Sequence, residues 1–211
     1  MISNLYRLVN RFYAIDIILI FDKCIGFKLQ IFCGYGIIYV QIKTLSRRIY
    51  MSNKILVAYF SCSGETAMVA KQLAQAAGAD LFAIKPVVPY TEADLDWNDK
   101  NSRTSIEMRT LEEPAIAERV ENMDSYDTVF VGFPIWWYMA PTIINGFLKS
   151  YDFSGKTVVP FATSGSSELG KAEAVLQAKT SRETNWLPGK LISHDMSLDD
   201  MKKWLKELKV I

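Results

Sequence analysis

The stretch Lys54-Ile55-Leu56-Val57-Ala58-Tyr59-Phe60-Ser61-Cys62-Ser63-Gly64-Glu65-Thr66 decides the fold. It opens as an apolar run of strand length, residues 55–60. It then breaks into a hydroxyl- and Gly-rich turn, residues 61–66, and continues at helical period over residues 65–77. A buried strand, a short turn and a helix are how α/β proteins build an anion site. The free N–H groups of the turn and of the first helical turn converge on one spot, and the helix dipole favours negative charge there. Ser61, Ser63 and Thr66 add hydroxyl donors, and Gly64 permits a conformation that a Cβ would obstruct. The turn holds no Lys or Arg, and neither the P-loop pattern nor G-x-G-x-x-G is present. Taken alone, the motif also reads as an ordinary strand-to-helix turn with an N-cap.

Downstream, strands alternate with helices. Strands are expected over residues 80–85, 128–132, 157–162 and 189–192. Helices are expected over residues 142–151, 169–178 and 198–208, the last entered through the capping pattern Ser197-Leu198-Asp199-Asp200. The first helix should bury Met68, Val69, Leu73 and Ala76 and stop at Gly78. Residues 90–113 read as a short helix and a polar stretch carrying Arg103 and Arg109. Pro114 is expected to open a further helix over residues 115–122, with Ile116 and Val120 inward. The alternation predicts a doubly wound α/β fold, with helices on both faces of a five-stranded parallel sheet. Right-handed crossovers with the first strand central give the order 2-1-3-4-5. Ligands then bind at the carboxyl ends of strands 1, 3 and 4.

Composition narrows the function. The 211 residues carry a formal net charge of +1, so nothing global points to nucleic acid or a membrane. The average hides an asymmetry. Residues 1–50 hold seven Lys and Arg against two Asp, a net of +5, and the remainder holds 17 against 21, a net of −4. Cys24, Cys33 and Cys62 make no C-x-x-C, which fits reduced thiols and a cytoplasmic protein. His194 is the only histidine, which argues against a histidine metal cluster or a Ser-His-Asp triad. No metal is expected.

Residues 1–50 are an extension to a domain over residues 51–211. They are rich in Ile, Phe and Tyr, contain no Glu or Pro, and have apolar runs interrupted by Asp16 and Lys28. They give neither a clean span of about 20 apolar residues nor a signal-peptide cleavage site. Three readings stand: upstream sequence before a true start at Met51, a membrane-associated segment helped by Arg47 and Arg48, or a structured helical or hairpin appendage. The first is the expectation.

Three turns should meet at one sheet edge. The first holds Ser61, Cys62, Ser63, Gly64, Glu65 and Thr66. The second, Gly132-Phe133-Pro134-Ile135-Trp136-Trp137-Tyr138-Met139-Ala140-Pro141, places adjacent aromatics on a loop. Such residues cannot all be core, so a flat ligand or a partner should cover some of them, unless one or two simply pack over a helix. The third, Thr163-Ser164-Gly165-Ser166-Ser167, can offer N–H and O–H donors to the edge of a heterocycle. Phosphate donors, stacking indoles and edge donors together describe a flat phosphorylated ligand, and FMN fits.

On S-C-S-G-E-T, G-F-P-I-W-W-Y-M-A-P and F-A-T-S-G-S-S-E-L-G, in that order and spacing, residues 51–211 resemble bacterial short-chain flavodoxins and flavodoxin-like FMN-binding proteins. The resemblance implies that residues 61–66 wrap the FMN phosphate. It implies that Pro134, Ile135, Trp136, Trp137 and Tyr138 flank the ring, and that Thr163, Ser164, Gly165, Ser166 and Ser167, with Gly170, line its polar end. Roughly twenty residues between the third turn and the last strand leave little room for the inserted loop of long-chain flavodoxins. The acidic clusters of electron-carrier flavodoxins are muted.

The resemblance implies electron transfer through non-covalently bound FMN, with redox proteins or a small electron donor or acceptor as partners. Indoles that lower local polarity, and a phosphate dianion nearby, would push the potential of the second electron down. An alternative is an NAD(P)H- or quinone-dependent FMN oxidoreductase of the same fold, with the segment over residues 90–109, including Trp97, Arg103 and Arg109, as one wall of an open pocket. A third class is a binding module without redox function. Cys62, at a helix N-terminus, would have a depressed pKa, which a bound phosphate would oppose while shielding the thiol. Of a redox thiol and a small buried loop residue, the second is the expectation.

Overall fold

The computed structural model describes residues 16–22, 26–33, 36–41, 53–165, 167–169 and 171–211. The chain divides into two units, residues 1–52 and 53–211. In the first, β1 (Asp16–Asp22), β2 (Gly26–Cys33) and β3 (Gly36–Gln41) form an antiparallel sheet in the order β1-β2-β3, with Ile18 opposite Gln30 and Gln30 opposite Tyr39. The expected boundary at Met51 lies outside the described residues.

The second unit begins with β4 (Ile55–Tyr59), α1 (Glu65–Ala77) and β5 (Asp80–Ala83). It continues through α2 (Arg103–Thr110), β6 (Thr128–Pro134), α3 (Thr142–Lys149) and β7 (Thr157–Thr163). It ends with α4 (Ala172–Gln177), β8 (Asn185–Trp186), β9 (Lys190–Leu191) and α5 (Leu198–Glu207). The sheet is parallel, in the order β5-β4-β6-β7-β8, with β9 also pairing β7. Counted from Ile55, this is the expected 2-1-3-4-5.

The strands read as continuous apolar runs because both faces of the sheet are covered. Side chains alternate along a strand. Ile55 and Val57 of β4 therefore join Val69 and Leu73 of α1 and Met201 and Leu205 of α5 in one buried layer. Leu56 and Ala58 join Ile143, Ile144, Phe147 and Leu148 of α3 in the other. Gly132 of β6 leaves room for Phe161, since a Cβ there would lie 2.1 Å from the ring.

Three expectations need correction. The expected last strand over residues 189–192 is present as β9, but a further short strand, β8, precedes it on the same side of β7. Val158 and Ala162 accept hydrogen bonds from Leu187 and Ile192, so Pro160 faces the same seam and offers it no N–H. Gly189 lies against Pro160 and donates instead to Glu173 Oε1 at 2.6 Å. The helix expected over residues 115–122 is extended chain. Ile116 bridges Pro86, Val87 N donates to Ala115 O and Ala117 N to Lys85 O. With Ile116 and Val120 as its only apolar face, that segment gains more from pairing with the chain that leaves β5. The polar stretch before it is helical instead, as α2, because Ser102 caps it and accepts from Ser105 N. In α1 the buried set is Thr66, Val69, Ala70, Leu73 and Ala74, and Met68 faces solvent.

Candidate functional site

The three turns do converge at the carboxyl edge of the sheet, and hydrogen bonds tie them together. Thr66 is buried, and its hydroxyl lies 2.8 Å from that of Thr163, which joins the first turn to the third. Ile135 N donates to Thr163 O at 3.0 Å, which joins the second to the third. A groove of about 580 Å³ runs over them, with Cys62, Ser63, Pro134, Ile135, Trp136, Trp137, Tyr138 and Ser167 in its lining.

The first turn ends at Gly64, whose φ of 95° is left-handed. Gly64 N donates to Ser61 Oγ at 3.1 Å, which folds the turn on itself. No side chain caps α1, so its first-turn N–H groups are left for an acceptor from outside the helix. That is the donor set a phosphate needs. The Glu65 carboxylate is turned away toward His194, with Oε2 3.4 Å from Nδ1. The contribution of Glu65 to an anion site is therefore its backbone N–H.

The second turn is a tight hairpin. Trp136 and Met139 exchange both backbone hydrogen bonds at 2.9 Å. Trp137 and Tyr138 between them have φ of 47° and 63°. Two left-handed residues in a two-residue loop are the type I′ arrangement, which bulky side chains adopt only against strain. The hairpin throws Trp137 and Tyr138 outward, 43% and 70% exposed. Trp136 is braced instead, with its ring edge-on to Phe60 at 5.6 Å and to Tyr90 at 5.9 Å. In the third turn Ser167 N donates to Ser164 Oγ at 2.7 Å, and Gly165 is exposed. Ser166 and Gly170 lie outside the described residues.

The segment expected to form one wall, residues 90–109, does border the groove. Leu95 and Thr104 line it beside Trp97. These residues are held by a side-chain network. Tyr90 Oη donates to Glu107 Oε2 at 2.6 Å, Arg103 Nε donates to Glu107 Oε1 at 2.6 Å, and the Arg103 guanidinium lies over the Tyr90 ring at 4.2 Å. Thr104 Oγ1 donates to Asp94 O at 2.7 Å. Arg103 supports this wall from behind and Arg109 lies beyond it; neither lines the groove. A second hollow of about 430 Å³ shares Ser63, Pro134, Ile135 and Trp136 with the groove and adds Glu65, Thr163, Ser164 and Gly165. Ile192, Ser193 and His194 also line it. The sequence reading missed these three, and their position after the last strand, at the same sheet edge, was the available signal.

The electrostatics correct one expectation. The Cys62 residue is accessible, yet its thiol is pushed up to about 11. Protein crowding around the sulfur is the main cause, and the buried Glu107 carboxylate adds to it against Arg103. The thiol is therefore protonated at neutral pH. Burial, and then the bond to Glu107, likewise hold the Tyr90 phenol protonated. Among the described residues no group of His, Cys, Asp and Glu forms a metal site. None of their helices is long and apolar enough to cross a membrane.

A family model described as flavodoxin matches residues 54–208. No curated protein matches the chain. Among solved structures, a candidate flavoprotein of Bacteroides eggerthii DSM 20697 is 48% identical over 75% of this chain and 99% of its own, with a TM-score of 0.71. One of Bacteroides uniformis ATCC 8492 is 47% identical over 74% and 99%, with a TM-score of 0.69. A flavoprotein of Lactobacillus acidophilus NCFM, solved in complex with FMN, shares the fold at 22% identity over 66% and 93%, with a TM-score of 0.52.

Proposed function

The chain belongs to the flavodoxin family, and from that premise we propose that it binds FMN non-covalently and transfers electrons through it. The flavin supplies the redox chemistry when bound. The observation that carries the reading is the uncapped start of α1, behind left-handed Gly64, in the same groove as the aromatic hairpin. The first-turn N–H groups of α1, with the Ser61 and Ser63 hydroxyls and the backbone of Cys62, Glu65 and Thr66, take the phosphate. Neutral donors suffice because the helix start is itself electropositive.

Pro134, Ile135, Trp136, Trp137 and Tyr138 form the apolar side of the ring site and keep water from it. Thr163, Ser164, Gly165 and Ser167 offer polar groups at its edge, and Ser166 and Gly170 join them on sequence grounds. Protonated Cys62 is a neutral lining group. Purified protein loaded with FMN, reduced anaerobically, should pass electrons to a one-electron acceptor such as ferricyanide. Failure to bind a yellow chromophore or to exchange electrons would remove the proposal.

A second reading draws on the wall of Leu95, Trp97 and Thr104, which leaves the groove open to a small molecule. It is an FMN-dependent oxidoreductase that takes electrons from NAD(P)H or passes them to a quinone. Fast NAD(P)H oxidation without an added reductase favours this reading over transfer between redox proteins. Its absence favours the carrier.

A further inference from the structure

A cavity of about 620 Å³ lies beside the groove and shares Trp97 and Trp137 with it. Met108 and Met139 add thioethers to its lining, and among the described residues its only charged lining ones are Lys100 and Arg109. Neither cation has a salt-bridge partner among the described residues, whereas Arg103 on the same helix is paired with Glu107. Arg109 Nη1 donates to Lys100 O at 3.1 Å, which ties the two positions together. The nearby carboxylates of Asp96 and Asp99 accept from the backbone N–H groups of Asn98 and Asn101.

Trp97 is 71% exposed, at an apolar cost that a ring laid against it would recover. The volume lies within the range of small-ligand sites, about 300–1,000 Å³. We propose that this cavity binds a small planar aromatic anion, with its ring against Trp97 and Trp137 and its carboxylate or sulfonate on Lys100 and Arg109. The site goes beyond the flavin reading, because the cavity lies outside the groove and Lys100 and Arg109 belong to no part of the FMN site. The shared indoles place such a ligand next to whatever fills the groove.

Naphthalene-2-sulfonate is a direct probe. Neutral naphthalene-2-sulfonamide keeps its ring, and cyclohexanesulfonate keeps its charge. Calorimetry on the full chain, with and without saturating FMN, should show one sulfonate per chain, bound roughly tenfold more tightly than either control. The double variant Lys100→Gln/Arg109→Gln should lose the preference for sulfonate over sulfonamide while its FMN affinity stays unchanged. Arg109→Lys, with Lys100 intact, should keep most of that preference and shows that the site survives substitution. Equal affinity for the three probes overturns the proposal. So does a preference that survives the double variant, or displacement of the sulfonate by FMN in one-to-one competition. Sulfonate binding without FMN binding would instead remove the flavin reading and leave the cavity assigned.

Discussion

The strand-end turns and the excursion over residues 84–120 border the same groove but are held in different ways. The turns are fixed largely by backbone. Gly64 is left-handed, Ile135 N donates to Thr163 O, and Trp136 and Met139 close a two-residue hairpin. The ends of the excursion pair through backbone, Val87 N on Ala115 O and Ala117 N on Lys85 O. The part that borders the groove, a 3-10 turn over residues 93–95 and the short helix α2, is held chiefly by side chains: the Tyr90–Glu107–Arg103 set and the Thr104 hydroxyl on Asp94 O. Backbone-fixed turns can present N–H groups to an anion without much rearrangement. A side-chain-held wall can be retuned by one substitution while the backbone-fixed turns stay put.

The largest expected effect tests that division. Glu107→Ala removes the acceptor of Tyr90 and the partner of Arg103. Breaking a buried pair costs about 3 kcal/mol, and the melting temperature of the second unit should fall by roughly 6–12 °C. Glu107→Gln should lose less, because it can still accept a hydrogen bond. An unchanged melting temperature in Glu107→Ala would mean that the backbone holds the excursion too.

Cys62 reports the same network from the side of the turns. Its thiol is raised from 9.0 to about 11, so the thiolate is scarce until the pH nears that value. At pH 8 iodoacetamide should modify it about a hundredfold more slowly than an unperturbed thiol. The rate should climb as pH rises toward 11, and Glu107→Gln should speed it. A fast reaction at pH 8 would show that Glu107 and burial do not govern the turn.

Trp136 joins the two regions, since its ring meets both Phe60 and Tyr90. Trp136→Ala should weaken FMN by about five- to 150-fold, as for the loss of one stacking platform, and should also lower the melting temperature. Trp137→Ala, at an exposed site, should change FMN affinity with little change in melting. A Trp136→Ala variant that melts earlier but binds FMN as before would make Trp136 a packing residue alone. The smallest effect is expected at Gly64→Ala. No atom lies within 4 Å of the added Cβ, so the cost is the left-handed backbone alone, about 1–2 kcal/mol. Weaker FMN binding should accompany it, and unchanged melting would mean that the turn relaxes freely.

Legibility followed the same line. The start of α1 at Glu65 could be read because Gly64 marks it, and the buried strands because their apolar runs have strand length. The meeting of the three turns followed from strand alternation. What stayed hidden depended on partners distant in the chain. The gap between β8 and β9 falls where Gly189 lies against Pro160, which has no N–H to offer the seam. The upward shift of Cys62 comes chiefly from burial by chain distant in sequence, to which Glu107 adds, and the brace on Trp136 needs Tyr90. The swap of an expected helix at residues 115–122 for α2 was decided by the chain leaving β5, which no local pattern records.

The central claim is that residues 61–66 hold a phosphate. Titration of the flavin-free protein with FMN and with riboflavin, which share the ring and differ at the phosphate, tests it most directly. FMN should bind more tightly by about a hundredfold or more, the worth of one or two hydrogen bonds to a charged group. Equal affinities would contradict it.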